Sequence, residues 1–171
     1  MKIGVFDIGT KAVRLLVGDS DILLEETFSF EPYRNFGDRT FLGDALINNQ
    51  FEIKRIEPTL MKIKEYVQYG KRRGVNKFIA VGTAVFRKAT NTNDVIQLIK
   101  DNTGVDIKVL TMDEEAKLSM IAAIYSGKDY IDPGDSIALI DQGGGSTEIS
   151  FAKYSNDNDI QFESFQSLDL G

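Results

Sequence analysis

The sequence predicts an α/β fold: a mixed sheet flanked by helices, followed by the opening strands of a second, similar lobe. Three observations carry that reading. Apolar strands alternate with amphipathic helices after residue 52, the pattern of a mixed sheet with helical crossovers. Antiparallel meanders open the chain and start again near residue 136. Both begin with one device, an apolar strand ending in aspartate and then a glycine turn: Ile3-Gly4-Val5-Phe6-Asp7-Ile8-Gly9-Thr10 and Ile137-Ala138-Leu139-Ile140-Asp141-Gln142-Gly143-Gly144-Gly145-Ser146-Thr147-Glu148.

In order along the chain, residues 2–8, 12–18 and 22–30 read as three strands, rich in Ile, Val, Leu and Phe and separated by Gly9-Thr10-Lys11 and Gly18-Asp19-Ser20-Asp21. Pro32, Gly37 and Gly43 make residues 31–50 read as a loop with a short helix. Ile56, Leu60, Ile63 and Val67 recur at helical spacing, with Pro58 near the start. Lys71-Arg72-Arg73-Gly74 ends that helix, as basic residues suit the last turn and glycine a C-cap; a polyanion contact is the alternative for this run. Residues 77–81 form a strand and 83–88 the turn after it. Asn93-Asp94 caps a helix running to Thr103-Gly104. Residues 105–110 are a strand, and Asp113 to Tyr125 a helix with Leu118, Ile121 and Ala122 on its apolar face. The first lobe is thus expected over residues 1–126, a connection over 127–135, and the start of a second lobe over 136–171, with strands at 136–141, 147–153 and 159–167.

Composition excludes several classes of function. The 171 residues are 42% hydrophobic and 27% charged, as in folded proteins. No cysteine or histidine is present, which removes thiol and imidazole catalysis and disfavours zinc. Acid–base work falls to carboxylates, Lys, Tyr or water. A net charge of −6 argues against broad nucleic-acid binding, so a polyanionic substrate needs a local basic site or a metal. No long apolar run points to a membrane, and cytoplasm is the expected compartment.

The residues able to do chemistry cluster at the turns. Glycine permits positive φ and close approach of a phosphate to backbone N–H groups, and Asp7 and Asp141 at the preceding strand ends could hold hydrated Mg²⁺ between two facing lobes. Asp7 could equally cap its own turn. Three glycines in one hairpin weaken it, so Gly143, Gly144 and Gly145 point to function. Ser146 and Glu148 share one face of the outgoing strand: Ser146 is placed to donate to phosphate and Glu148 to reach a metal or water, unless both face solvent. Asp113-Glu114-Glu115 suits a helix start through the dipole alone. Arg87, after a strand and turn, could grip phosphate oxygens in bidentate fashion.

Taken together these residues resemble the exopolyphosphatase and guanosine pentaphosphate phosphohydrolase (Ppx/GppA) family, within the actin-like, sugar kinase and Hsp70 ATPase superfamily. The likeness runs through Asp7 to Leu15, Val81 to Asn91, Asp113 to Lys117, Asp141 to Glu148, and Ser167 to Gly171. It implies an actin-like (ribonuclease H-like) fold and Mg-assisted release of terminal phosphate from polyphosphate or from guanosine penta- or tetraphosphate. By position, Glu115 is the implied general base orienting the attacking water, and Asp141 and Glu148, with Asp7, the groups that bind Mg²⁺ or activate water. Gly9, Thr10, Gly143, Gly144, Gly145 and Ser146 would cradle phosphates, and Arg87 would hold the terminal phosphoryl group.

Three departures from the family pattern carry consequences. Where its first turn reads Ser-Asn-Ser, this chain has Thr10, Lys11 and Ala12, and Lys11 either binds phosphate or blocks the site. Gln142 replaces an aliphatic residue, which matters little if it faces away from phosphate. Family members continue well past Ser167 to Gly171, so the second meander is expected to leave an apolar face open, whether the chain is a fragment or a short homologue completed by a partner or as a homodimer. Two other readings stand beside hydrolysis: a non-catalytic phosphate or alarmone sensor, and an ATPase or kinase of the same superfamily.

Overall fold

The computed structural model describes residues 1–20, 30–156, 159–168 and 170. They fall into two compact units, Met1–Val109 and Leu110–Gly171, considered separately below.

In the first unit β1 (Lys2–Ile8), β2 (Ala12–Ser20), β3 (Phe30–Arg39), β6 (Lys77–Gly82) and β7 (Ile107–Val109) form a sheet in the order β3-β2-β1-β6-β7. The β3-β2-β1 part is antiparallel, while β1-β6 and β6-β7 are parallel. Cross-strand partners share a face, so the pairs Phe6–Leu15 and Ile8–Val13 turn four fully buried side chains to one side. There they enter one core with Ile63 and Val67 of α1 (Glu57–Arg72) and Val95 and Ile99 of α3 (Thr92–Thr103). Phe6 packs its ring on Tyr66 and Phe78, with centroids 6.3 and 5.8 Å apart.

Several local expectations hold, and others change. Pro58 sits in the first turn of α1, where its missing N–H is harmless. Gly74 and Gly104 follow α1 and α3 in the left-handed region, the C-cap conformation. α3 is flanked by Asn91 rather than capped by Asn93-Asp94, and the Asn91 side chain makes no capping hydrogen bond to the helix. Residues 83–88 hold a short helix, α2 (Ala84–Lys88). Of the strand expected over 22–30, residues 22–29 lie outside the described residues. The expected loop after it is largely strand: β3 covers Phe30–Arg39, and only then come a 3-10 turn at Leu42–Ala45 and the hairpin β4 (Leu46–Ile47) and β5 (Gln50–Phe51). Pro32 misleads because β3 lies at the sheet edge, where a missing N–H costs little. Phe36 anchors the strand on Tyr66 and Tyr69, at 5.5 and 4.7 Å. Tyr66 also donates to Asp38 Oδ2 at 2.6 Å, and with Lys62 this holds the Asp38 carboxyl below the usual carboxylate range.

In the second unit β8 (Ser136–Gln142), β9 (Thr147–Asn156) and β10 (Asp159–Leu168) form an antiparallel sheet in the order β10-β9-β8. α4 (Met112–Gly127) packs on it with Met120 and Ile124, which meet Ala152 and Tyr154. The buried stripe of α4 is Ala116, Met120 and Ile124, whereas Leu118, Ile121 and Ala122, expected on the apolar face, are exposed. Helical spacing alone could not choose, because α4 is apolar on two sides. This helix lies in the second compact unit, although its sequence reads as the close of the first lobe. The sheet face opposite α4 exposes Ile140 and Phe151, at 69% and 44%, the open apolar face expected of the second meander. No helix among the described residues is long and apolar enough to cross a membrane.

Candidate functional site

The first unit presents a turn and an arginine at the ends of neighbouring parallel strands. Ile8 of β1 lies beside Gly82 of β6, and Thr83 N–H donates to the Ile8 carbonyl at 3.3 Å. The Gly9-Thr10-Lys11 turn therefore leaves the sheet next to α2, whose last turn carries half-buried Arg87. The turn is held by its carbonyls. Thr40 and Phe41 N–H groups both donate to Lys11 O at 3.0 Å, and Gly43 N–H donates to Thr10 O at 2.8 Å. Gly43 is needed there, since a Cβ would lie 2.5 Å from the Thr10 methyl. With Gly9 N–H donating to Ala12 O at 2.9 Å, the Thr10 and Lys11 amides have no acceptor among the described residues. The Lys11 side chain is exposed. Asp7 is half-buried opposite Arg14 and Val81.

The second unit brings its carboxylates into one layer. Asp141 and Glu148 are direct cross-strand partners on the β8–β9 pair, so their side chains share the face on which α4 packs. Two like charges opposite each other are unfavourable, and Glu148 is only 3% exposed; hydroxyls compensate in part. Ser167 Oγ donates to Glu148 Oε1 at 3.0 Å and Ser119 Oγ to Asp141 Oδ2 at 2.7 Å. Ser119 stands one turn beyond Glu115 on the same helix face. The side of α4 that bears Glu115 is thereby turned toward the strand end that bears Asp141. Ser146 is buried too, at 5%, so a solvent-facing Ser146 and Glu148 is excluded. Gln142 pairs with Thr147 on the opposite face and is exposed, away from the carboxylates.

The acidic cluster at the start of α4 divides by task. Glu114 and Thr111 form a reciprocal capping box, with Glu114 N–H donating to Thr111 Oγ1 at 3.1 Å and Thr111 N–H to Glu114 Oε2 at 2.9 Å. Asp113 pairs with Lys117 at 2.7 Å. Glu115 belongs to neither arrangement. The glycines act differently from expectation: neither Gly9 nor Gly143 lies in the left-handed region. Gly143 sits in a tight turn, where a Cβ would stand 3.2 Å from the Ser146 carbonyl that its own N–H contacts at 2.9 Å, so a side chain there would crowd the turn. Asn91, part of the Val81 to Asn91 block, clasps the Phe51 backbone, accepting from N–H at 2.8 Å and donating to C=O at 3.0 Å.

Ser119 is the residue that sequence reading missed; only its spacing from Glu115 could have flagged it. As to metal, the described residues contain no group of three or more His, Cys, Asp or Glu side chains. Mg²⁺ needs fewer, since it is commonly held by one or two carboxylates with water and phosphate oxygens completing its shell. Asp141 and Glu148, paired on one face with one hydroxyl bond to each, fit that requirement.

The sheet order, with its parallel crossover beside an antiparallel meander and a second antiparallel meander later in the chain, is that of an actin-like α/β protein. Residues 40–171 match the Ppx/GppA phosphatase family, and the chain belongs to that family. It is 31% identical over 149 residues to a bifunctional 3-dehydroquinate synthase/phosphatase of Fusobacterium nucleatum, covering 84% of this chain and 22% of that protein. It is 28% identical over 151 residues to exopolyphosphatase 1 of Mycobacterium tuberculosis, covering 88% of this chain and 42% of the relative. The Aquifex aeolicus Ppx/GppA family member superposes with a TM-score of 0.75 at 28% identity, over all of this chain and 52% of that one. The chain thus spans less than half the length of these two curated relatives and about half of the solved structure.

Proposed function

We propose that this chain carries the phosphate-handling part of a phosphoanhydride hydrolase that releases terminal phosphate from inorganic polyphosphate or from guanosine penta- or tetraphosphate. The observation that carries the reading is the cross-strand pair of half-buried Asp141 and buried Glu148, tied through Ser119 to the helix that bears Glu115. In this reading Glu115 takes a proton from water as the water oxygen bonds to the terminal phosphorus; the bridging P–O bond breaks and its electrons leave with the shortened chain. Such a reaction needs charge stabilisation and an aligned water more than covalent chemistry. Within the second unit Asp141 and Glu148 would hold Mg²⁺, which when bound neutralises phosphate charge. The Thr10 and Lys11 amides of the first turn, Gly144, Gly145 and the Ser146 hydroxyl of the second, and Arg87 would serve as phosphate contacts, whereas the Gly9 and Gly143 N–H groups close their own turns.

The deciding experiment is phosphate release from polyphosphate, guanosine pentaphosphate and ATP with Mg²⁺, beside Glu115→Gln. Loss of a general base costs about 10²–10⁴ in rate, so release from either of the first two substrates is expected to fall at least a hundredfold while ligand binding persists. Equal loss of binding and turnover would remove Glu115 from the role. A second reading is favoured by Lys11, exposed on the turn where the family pattern has a small polar residue: a sensor that binds phosphate without hydrolysing it. Stoichiometric binding with no release by the unaltered chain would establish that reading instead.

A further inference from the structure

Along the same face of the second sheet, one step from the carboxylates, lies a cavity of about 400 Å³ between α4 and β9–β10. Ala116 and Ser150 form part of its lining, with Phe162 and Phe165 beside them and the ion-paired Asp113 and Lys117 near the start of α4. Two features set it apart from an ordinary surface dent. The Ser150 hydroxyl is buried and has no hydrogen-bond partner, and Ser150 as a whole is 3% exposed. Phe162 and Phe165, whose cross-strand partners Ala152 and Ser150 are buried against α4, are themselves only partly covered. Ala116, Phe162 and Phe165 thus give the lining its apolar and aromatic part, beside Glu163, Ser164 and one unsatisfied polar atom, the combination of apolar wall and few polar anchors that suits a small molecule. Aromatic faces favour a flat ring, and an orphan hydroxyl favours a ring with a hydrogen-bonding edge.

We propose that this cavity binds the planar heteroaromatic ring of a nucleoside, stacked against Phe162 and Phe165 with its polar edge satisfying Ser150. Ser150 follows Glu148 by two residues on one face of β9, and Phe165 precedes Ser167 by two on β10. Two strand residues span about 7 Å, so a ring here lies within a nucleotide's length of the Asp141–Glu148 pair. The ring has two possible sources, the substrate itself or a free effector; the assignment of the first rests on the hydrolase reading above.

The test separates these. Guanosine and adenosine, which carry no phosphate, are titrated into the 171-residue chain and followed by calorimetry and amide NMR. Saturable binding is expected, with shifts centred on Ala116, Ser150, Phe162 and Phe165. Ser150→Ala removes an unpartnered hydroxyl, leaves the fold intact, and is expected to weaken binding about fivefold, the worth of one neutral hydrogen bond; Phe165→Ala is expected to weaken it more. No saturable binding, shifts elsewhere, or equal affinity in Ser150→Ala would overturn the proposal, whatever the chain's activity. If the ring belongs to the substrate, Ser150→Ala raises KM for guanosine pentaphosphate and not for polyphosphate. If it belongs to an effector, added guanosine changes polyphosphate turnover without competing. Binding that survives in a chain hydrolysing nothing would keep the site and remove only its link to hydrolysis.

Discussion

The first unit buries both the sheet residues and the helices that cover them: Phe6, Ile8, Val13, Leu15 and Val17 are fully inaccessible and share one core with Ile63, Val95 and Ile99. The second unit has a smaller centre, Met120, Ile124, Ala152 and Tyr154, and exposes Leu118, Ile121, Ile140 and Phe151. Yet the smaller unit holds the costlier arrangement, a carboxylate pair with Glu148 nearly inaccessible and a serine hydroxyl without a partner. Buried charge and orphan polar atoms lower stability unless something compensates. The difference therefore separates packing from buried polarity: the first unit holds the larger apolar core, and the second holds a buried carboxylate and an unpartnered hydroxyl.

The largest effect that would sharpen this contrast is on the cores. Phe6→Ala leaves a cavity in a close-packed centre and is expected to cost about 3–5 kcal/mol. Met120→Ala, in a centre that collapses more readily, should cost about 2 kcal/mol, the lower end of that class. Urea unfolding measures both. Amide exchange should find β1, β2 and β6 protected longest and β8 to β10 opening sooner; equal protection of the two units would break the comparison.

The same contrast explains what the sequence could disclose. Residues whose role is set by neighbours along the chain were legible: Pro58 in a first turn, Gly74 and Gly104 after helices, the alternation that buries Ser146 and Glu148 together. Residues whose role depends on a distant element were not. Pro32 signals a loop unless one knows that β3 is an edge. Leu118 and Ile121 look as suitable for burial as Met120 and Ile124, and only the position of β9 decides between the stripes. Ser119 meets Asp141 across a separation that no periodicity reports. Glu115 was distinguished from Glu114 by family position alone; what the structure adds is that Glu114 takes part in a capping box at the helix start. The glycine turns were expected to exploit positive φ, whereas Gly143 matters because a side chain there would crowd the Ser146 carbonyl.

Ser119 gives the next largest effect and tests whether the second unit's polar layer is chemical or merely tolerated. Its bond to Asp141 fixes a carboxylate from the helix that carries Glu115, so it is a positioning residue. A hydrogen bond to a charged group contributes about 1.5–3 kcal/mol, part of which water will replace. Ser119→Ala should therefore lower kcat about tenfold, with KM for the phosphate substrate little changed and the unfolding midpoint within about 2 °C. Ser119→Thr, which keeps the hydroxyl, should restore most of the rate. A fall in stability matching the fall in rate would make Ser119 a packing residue.

The smallest expected effect concerns the open face of the second sheet. Ile140 and Ile149 are cross-strand partners there, with Ala138 and Phe151 beside them, and Ile140, Ala138 and Phe151 are exposed. Large apolar side chains in water contribute little to the folded state, while their exchange for polar β-branched residues keeps strand propensity. Ile140→Thr with Phe151→Thr should thus change stability by less than about 0.5 kcal/mol, the usual range for surface substitutions. Binding of a hydrophobic dye and concentration-dependent association, both expected of an uncovered apolar sheet face, should fall together. A loss of about 2 kcal/mol or more in dilute solution would mean that the face is covered and would erase the contrast between the units. Unchanged stability with reduced association would instead show that this face mediates association, while the carboxylate face, formed by alternate residues of the same strands, stays intact.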